Sequence, residues 1–389
     1  MNLKIFSILF VSVFGATLGT GIIVPFLPLY AQTYGATGFE IGMIFSAFAF
    51  TRSLFLPFIG KISDKKGRKI FITFGLFLFT ILSLLYTYAP NVLSLIIIRA
   101  FHGISSACII PIALAYVGDI VPEGKEGHYM GIFNISLFGG LAVGPLLGGV
   151  IKDIWGIKES FMIMGMVTCT AFLLSLFFLP EKKKISKISI SPHVSYRELL
   201  KNKMIQGITL FRFLVGFGIA LIWAFLPLYA GNIIHLSSSK IGSLIFTSIF
   251  LTAILQHPMG KLADKVNRRY MVIVGGILSS IGMFIIPFAY RYLFLFFAVT
   301  IQGISRAILL PALTALSVVE GRREKGMGST MSLVIFAHST GMMIAPVTAG
   351  ILTDLFGLNF VFFIGSFFAI VGVAFFYFIT KKRVKVLTI

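Results

Sequence analysis

Long apolar segments separated by short polar ones recur along the whole chain. A helix needs about 20 mostly apolar residues to cross about 30 Å of hydrocarbon, because each residue advances it by about 1.5 Å. The chain holds twelve windows of this kind, and the short alternating segments of a membrane β-barrel are absent. The pattern therefore predicts an all-α integral membrane protein with twelve transmembrane helices.

The twelve predicted spans fall into two sets of six. The first set lies at 4–31, 40–60, 69–89, 92–117, 127–151 and 159–180. The second set lies at 204–231, 239–260, 270–290, 292–318, 326–351 and 358–380. We therefore predict an N-terminal six-helix bundle at 1–180, a cytoplasmic linker at 181–203 and a C-terminal six-helix bundle at 204–389.

Composition and charge agree with a membrane location. The chain of 389 residues is 57% hydrophobic and only 12% charged, with a net charge of +20 at pH 7, which is too little charge to cover a soluble protein of this size. Most of the 33 lysines and arginines lie on the linker side of the spans. Positive charge marks the cytoplasmic side, so both termini are predicted there, in a cell membrane, and the basic residues contact lipid rather than nucleic acid.

Segments of the first half recur in the second half about 200 residues later. The matching pairs are GKISDKKGRK at 60–69 with GKLADKVNRR at 260–269, HGISSACIIPIALA at 102–115 with QGISRAILLPALTA at 302–315, and GPLLGGVIKDIWG at 144–156 with APVTAGILTDLFG at 345–357. Two copies of six helices with the same orientation are parallel repeats. Such repeats build transporters whose substrate site lies near the bilayer midplane between the halves.

The paired decapeptides carry a resemblance to the major facilitator superfamily, which covers nearly the full chain. Its cytoplasmic loop signature is Gly-x-x-x-Asp-(Arg/Lys)-x-Gly-Arg-(Arg/Lys), and residues 60–69 meet it. The copy at 260–269 keeps the pattern except for Asn267 in place of the second glycine. Because Asn tolerates a left-handed turn better than most residues, we expect the turn to persist there. The resemblance implies the major facilitator fold.

Three further stretches resemble the 12-helix drug:proton antiporter branch of that superfamily. They are LGTGIIVPFLP at 18–28, RAFHGISSA at 99–107 and GLAVGPLLGG at 140–149. The second half departs from the last of them, with Ala345 and Ala349 in place of glycines. This resemblance implies a secondary active transporter that exports amphiphilic small molecules in exchange for protons.

The loop signature is expected to form a conformational latch, as the resemblance implies. We expect Gly60 to allow close helix approach, Gly67 to form a tight turn, and Arg68 to pair with Asp64. The predicted latch residues are Gly60, Asp64, Gly67, Arg68, Asp119, Gly260, Asp264 and Arg268. The lysines of these loops, taken alone, are equally well explained by membrane topology.

A second motif lies in the fifth span and consists of Gly140, Gly144, Pro145, Gly148 and Gly149. Three of its glycines follow one another at intervals of four residues, so they share one helical face and permit close helix contact. The proline removes one hydrogen bond and bends the span. Tight packing explains this stripe, and the resemblance adds a role at the interface of the halves, where it resists leakage.

Positions at which the two repeats differ are better candidates for chemistry than shared positions. These pairs are Arg52 with Thr252, Arg99 with Val299, Arg306 with Ser106, Arg212 with Val13, His102 with Gln302, and His338 with Leu137. An arginine at the bilayer centre costs about 2.5–3.5 kcal/mol. Each arginine should therefore face a cavity or a partner, or bond to backbone carbonyls.

These asymmetric residues predict two sites. The substrate cavity is predicted to contain Arg52, Arg212, Arg306, Phe26, Phe217 and Phe225. Proton coupling is assigned to Arg99, which the resemblance implies, and to His102 or His338. None of the 13 acidic residues lies in the middle third of a predicted span, and histidine titrates near pH 6.5. A packing role is the alternative for each histidine.

A cavity with arginines and without acids favours anionic, zwitterionic or neutral amphiphiles. The alternative function is a narrow-specificity permease, or a lipid or organic-anion exporter of the same fold without proton antiport. An enzyme would need a nucleophile–base pair or clustered metal ligands, and the spans show neither. We expect no cofactor and no metal, and a monomer whose partners are substrate, protons and membrane lipids.

Overall fold

The computed structural model describes residues 3–122, 125–181 and 194–381. The helices of the first half are α1 (Leu3–Ile23), α2 (Leu27–Gln32), α3 (Gly38–Lys66), α4 (Arg68–Thr87), α5 (Val92–Ile120), α6 (Glu126–Ile154) and α7 (Ile157–Phe178). Those that follow are α8 (Tyr196–Leu199), α9 (Lys203–Asn232), α10 (Ser238–Lys265), α11 (Arg268–Ile285), α12 (Tyr292–Arg323), α13 (Met327–Phe356) and α14 (Leu358–Thr380). A 3₁₀ turn, Ile286–Phe288, extends α11.

The prediction of twelve spans is confirmed. Within the described residues, 12 helices are long and apolar enough to cross a membrane. Large apolar side chains are exposed on them, such as Phe178 at 70% and Phe58 at 61%. An exposed apolar surface of this extent suits contact with lipid.

The first span differs from its prediction. It was expected to run unbroken over 4–31, but the helix is interrupted between Ile23 and Leu27. Pro25 lies in the break and Pro28 lies in the first turn of α2. Proline lacks a backbone N–H and its ring clashes with the preceding turn, which weakens the helix at Pro25, while Pro28 is tolerated in a first turn.

Polar residues begin several helices. In α3, Thr37 accepts a hydrogen bond from the N–H of Glu40 at 3.2 Å, and the Glu40 carboxylate accepts from the N–H of Thr37 at 2.9 Å. Asn91 and Ser94 form the same reciprocal arrangement before α5. These contacts satisfy N–H groups that have no partner inside the helix, and therefore fix where the helix begins.

The chain forms two compact units. Unit 1 comprises residues 1–187 together with 230–246, and unit 2 comprises 188–229 together with 247–389. The end of α9 and the start of α10 thus belong with unit 1. Of the predicted linker 181–203, residues 182–193 lie outside the described part of the chain, and the rest holds α8 and the start of α9.

The sequence repeat is visible in how helices pack within each unit. In unit 1, α4 packs against α5 and α7, and in unit 2, α11 packs against α12 and α14 in the same way. One hydrogen bond recurs with them. The hydroxyl of Ser105 donates to the carbonyl of Gly75 at 2.8 Å, and that of Ser305 donates to the carbonyl of Gly275 at 2.7 Å.

Candidate functional site

A charged cluster surrounds the turn between α3 and α4. Gly67 adopts φ +99° there, and Arg68 follows as the first residue of α4. One guanidinium nitrogen of Arg68 lies 3.0 Å from the Asp64 carboxylate, and its Nε lies 2.5 Å from the carboxylate of Asp119 on α5. The arginine side chain is only 13% exposed. A single guanidinium therefore joins the facing ends of three helices, with the partners expected from the sequence.

The two glycines of this loop differ from each other. A Cβ on Gly67 would run into the Glu181 carboxylate, and the positive φ already excludes most side chains. A Cβ on Gly60 would meet no described atom within 4 Å, and the same is true of Gly260. The predicted close approach at Gly60 is therefore wrong for this structure, because that position faces open space.

The second copy of the loop is more loosely built. Arg268 lies 3.3 Å from Asp264, whose side chain is 74% exposed. Asn267 has φ −65°, and its side chain accepts a hydrogen bond from the N–H of Arg269 at 3.0 Å. The expected left-handed turn at Asn267 is thus wrong. The asparagine has a side-chain oxygen that can cap α11, and capping favours an extended backbone at that position.

Unit 2 contains a polar cluster that was not predicted. The Asn202 amide donates to the Glu320 carboxylate at 2.8 Å and to the Glu324 carboxylate at 2.6 Å. Its carbonyl accepts from the N–H of Met204 at 2.9 Å. Glu320 lies one position beyond the repeat counterpart of Asp119. This near match is the feature of the sequence from which the cluster could have been predicted. The cluster fixes the start of α9 to the end of α12.

Arg99 and His102 lie together inside unit 1. They are 3% and 1% exposed, and one guanidinium nitrogen of Arg99 lies 3.3 Å from Nδ1 of His102. The guanidinium lies 4.4 Å from the ring centre of Phe48, and the His102 ring lies 4.1 Å from that of Phe79. An aromatic face attracts a cation. The partners of Arg99 are therefore the ring of Phe48 on the neighbouring helix α3 and the imidazole of His102 one turn further along α5.

Arg306 occupies a different environment in unit 2. Its Nε donates to the carbonyl of Gln302 at 3.2 Å, and another of its nitrogens donates to the hydroxyl of Ser248. The Gln302 amide in turn donates to the carbonyl of Ser279 at 2.6 Å. Arg306 also lines a cavity of about 30 Å³ beside Phe211. That volume holds one or two waters and no amphiphile.

The other predicted cavity residues fall in both units. Arg52 and Arg212 are half-buried, and neither Nε has a hydrogen-bond partner among the described residues. The aromatic residues predicted to line the cavity are all buried, and they are Phe26, Phe217 and Phe225. His338 is half-buried on α13 beside Gly216 of α9. The structure thus pairs Arg99 with His102, and His338 belongs to the other unit.

The glycine motif of α6 uses two faces. A Cβ on Gly144 would lie 2.6 Å from the Cα of Gly21, and Gly148 is pressed against the backbone of Ile22. The three glycines of the predicted stripe thus pack on α1. A different pair of motif residues contacts α10, since Gly149 abuts the carbonyl of Ser238 and Pro145 abuts Gly242.

Comparison with protein families accounts for this architecture. The model of the Major Facilitator Superfamily matches residues 9–212 and again residues 208–388. The chain belongs to the Major Facilitator Superfamily. The two matches follow each other along the chain, as expected for the two repeats of this superfamily fold.

Relatives within the superfamily extend over almost the whole chain. An uncharacterized MFS-type transporter of Methanocaldococcus jannaschii is 34% identical over 373 residues, which cover 94% of this chain and 95% of the relative. Multidrug resistance protein 2 of Bacillus subtilis is 28% identical over 380 residues, covering 95% and 93%. The crystal structure of a bacterial homolog to the human lysosomal transporter Spinster has a TM-score of 0.84 at 15% identity, covering 98% and 97%.

Membership defines the general activity. The chain is a multi-pass membrane transporter of small molecules and not an enzyme, as its relatives and structural neighbours are transporters.

Proposed function

We propose that this superfamily member exports amphiphilic small molecules in exchange for protons by alternating access. It acts as a monomer in the cell membrane, with both termini in the cytoplasm. Two features support export of this kind: the similarity to Multidrug resistance protein 2, which covers 95% of the chain, and the three stretches that resemble drug:proton antiporters.

The observation that supports a substrate class is the set of partners that surround the buried arginines. Arg99 is held by aromatic rings and His102, and Arg306 by neutral oxygens. Among the described residues, neither forms a salt bridge with a carboxylate. A positive charge without an acid in a low-dielectric interior attracts anions and repels cations. We infer that the transported amphiphile is anionic, zwitterionic or neutral.

The same contacts distinguish the two histidines proposed for proton coupling. An arginine N–H can only donate, so Nδ1 of His102 accepts and carries no proton. A second proton on His102 would place two cations in contact in the interior of unit 1. We therefore assign His102 as the neutral partner of Arg99, and His338 as the residue that binds the transported proton.

The proposal is tested with purified protein in liposomes that carry an imposed pH gradient. Two fluorescent amphiphiles of matched size and opposite charge are compared. We expect gradient-driven movement of the anion at a rate several times that of the cation, because the interior is positive. Preferential transport of the lipophilic cation would contradict the substrate class.

A second candidate is a narrow-specificity permease, or an exporter of lipids or organic anions, without proton antiport. The observation that favours it is that Arg306 is bound only by neutral oxygens among the described residues, so its charge can attract one anionic substrate. In the same liposomes this candidate predicts that anion transport continues at an unchanged rate when the pH gradient is abolished.

A further inference from the structure

The spacing Gly-x-x-x-Asp-x-x-Gly of the loop signature also occurs at another helix junction of unit 1. It is present at the junction of α3 and α4 at Gly60, Asp64 and Gly67, and again at the junction of α6 and α7 at Gly149, Asp153 and Gly156. The last glycine has φ +99° in the first case and φ +110° in the second. The same local turn therefore joins two helices at opposite ends of unit 1, with an aspartate beside each turn.

Asp153 binds the first turn of α10. Its carboxylate accepts hydrogen bonds from the N–H of Ser238 at 2.9 Å and from the N–H of Ser239 at 2.7 Å, and it also accepts from the Ser239 hydroxyl. Ser238 is the first residue of α10. The first N–H groups of a helix lack intrahelical partners and carry partial positive charge, so a carboxylate there is favourable.

The backbones around this contact are closely packed. A Cβ on Gly149 would collide with the carbonyl of Ser238, and a Cβ on Gly242 would collide with that of Pro145. At the same end of unit 1, the Asn232 amide donates to the side-chain oxygen of Gln32 at 2.9 Å. The closely packed backbones leave no channel for solute between α6 and the first turns of α10.

The course of α10 gives this contact its significance. Residues 238–246 of the helix belong to unit 1, while residues from 247 onward belong to unit 2. A carboxylate on α6 thus holds the start of a helix that continues into the other unit. Release of Asp153 would free that start from α6.

We propose that Asp153 is an outer latch: a positioning residue that holds the start of α10 on α6 and thereby closes the outward path. It acts at the end opposite to the Arg68 cluster and uses the same Gly-x-x-x-Asp-x-x-Gly turn. The inference rests on the proposed function for its role in export, but the contact itself is tested without substrate or proton gradient.

The test measures access to α10 from outside the cell. Ile245 is 4% exposed and lies one turn beyond Gly242 on α10. Ile245→Cys is introduced into full-length protein in which Cys108 and Cys169 are replaced by alanine, and its labelling rate with a membrane-impermeant maleimide is measured in intact cells. We expect Asp153→Asn to raise that rate by about tenfold, because a neutral amide binds the helix start less well.

Glu159→Gln is the matched control. Glu159 is an exposed acid in the first turn of the next helix, and it has no hydrogen bond to α10 among the described residues. We expect its labelling rate to equal that of the parent. Equal rates for Asp153→Asn and Glu159→Gln would overturn the latch.

A second variant tests the same contact, and the labelling readout is independent of transport. Ser239→Asp places a carboxylate opposite an intact Asp153, so it should raise labelling as well; an unchanged rate in this variant would also overturn the proposal. Since labelling requires neither substrate nor protons, a change in labelling supports the latch even if proton-coupled export is disproved. Conversely, unchanged labelling leaves proton-coupled export untouched.

Discussion

The Nε of Arg68 donates to the carboxylate of Asp119, which lies 51 residues further along the chain. The same guanidinium lies 3.0 Å from Asp64, so the first residue of α4 is fixed to both α3 and α5. Within the described part of the chain, the corresponding arginine of the second repeat, Arg268, has one acidic partner, Asp264, which lies 3.3 Å away and is largely exposed. The loop signature is therefore a strong junction in unit 1 and a weak one in unit 2.

This difference predicts unequal effects of two equivalent substitutions. Asp119→Asn should lower the free energy of unfolding by about 1–2 kcal/mol, because it weakens a charge-assisted hydrogen bond at a largely buried guanidinium. Asp264→Asn should cost less than about 1 kcal/mol, as exposed ion pairs do. Unfolding in detergent, followed by tryptophan fluorescence, measures both. Equal losses would contradict the asymmetry.

The paired aspartate on α3 should matter for turnover. Asp64 is 40% exposed and shares Arg68 with Asp119, so Asp64→Asn should leave folding intact and reduce the transport rate several-fold. Transport by equal amounts of folded protein is the measurement. A wild-type rate would show that the cluster serves membrane topology alone.

Two glycines of the same motif should respond oppositely to alanine. Gly67→Ala should destabilise the protein by about 1–3 kcal/mol, because φ +99° is strained for a residue with a Cβ. Gly60→Ala should be neutral or stabilising by up to about 1 kcal/mol, since alanine favours helix and the site is open. The melting temperatures of the two variants decide the point, and a fall for Gly60→Ala would restore the close-approach interpretation.

The stripe of α6 allows a matched pair on one helix. Gly148→Ala should cost about 1–3 kcal/mol, because its Cβ would collide with backbone of α1 that cannot move aside. Gly131→Ala should be tolerated, as a Cβ there meets no described atom within 4 Å. Thermal unfolding compares the two, and similar melting temperatures would show that α1 and α6 separate more easily than the structure indicates.

Substitution of the two histidines, His102 and His338, should affect transport differently. His338→Gln should abolish the dependence of transport on the pH gradient while substrate binding persists. His102→Gln introduces the residue found at the equivalent position of the second repeat, so it should retain the dependence on the pH gradient. It should lower the free energy of unfolding, because Gln cannot fill the space beside Phe79. Substrate-induced pH change inside liposomes measures coupling. Loss of coupling in His102→Gln alone would reverse the assignment.

Much of the architecture could be predicted because its determinants are local or repeated. Span length and apolar pattern gave the twelve helices, and the copied segments gave the two repeats. The Arg68 pairs were predictable because Asp64 lies one helical turn away and Asp119 lies at the same predicted membrane face. The break in the first span could not be predicted from proline alone, because α9 continues through Pro227, the repeat counterpart of Pro28.

The errors arose where tertiary context decides. Gly60 belongs to the motif, yet the space beside it depends on helices distant in sequence. Asn267 tolerates a left-handed turn in general, but here its side chain caps α11. Asp153 was overlooked although it shares the Gly-x-x-x-Asp-x-x-Gly spacing, because its partners on α10 are 85 and 86 residues away. The spacing of a motif alone does not predict contacts with residues so distant in sequence.

The central claim is exchange of an anionic, zwitterionic or neutral amphiphile for protons, and one recording tests it directly. Purified protein is placed in liposomes with a pH indicator inside, and substrate movement and internal pH are followed together after substrate is added. The account predicts proton movement opposite to the substrate, lost in His338→Gln and retained in Glu159→Gln. Substrate movement without any pH change, at a rate independent of the gradient, would contradict it.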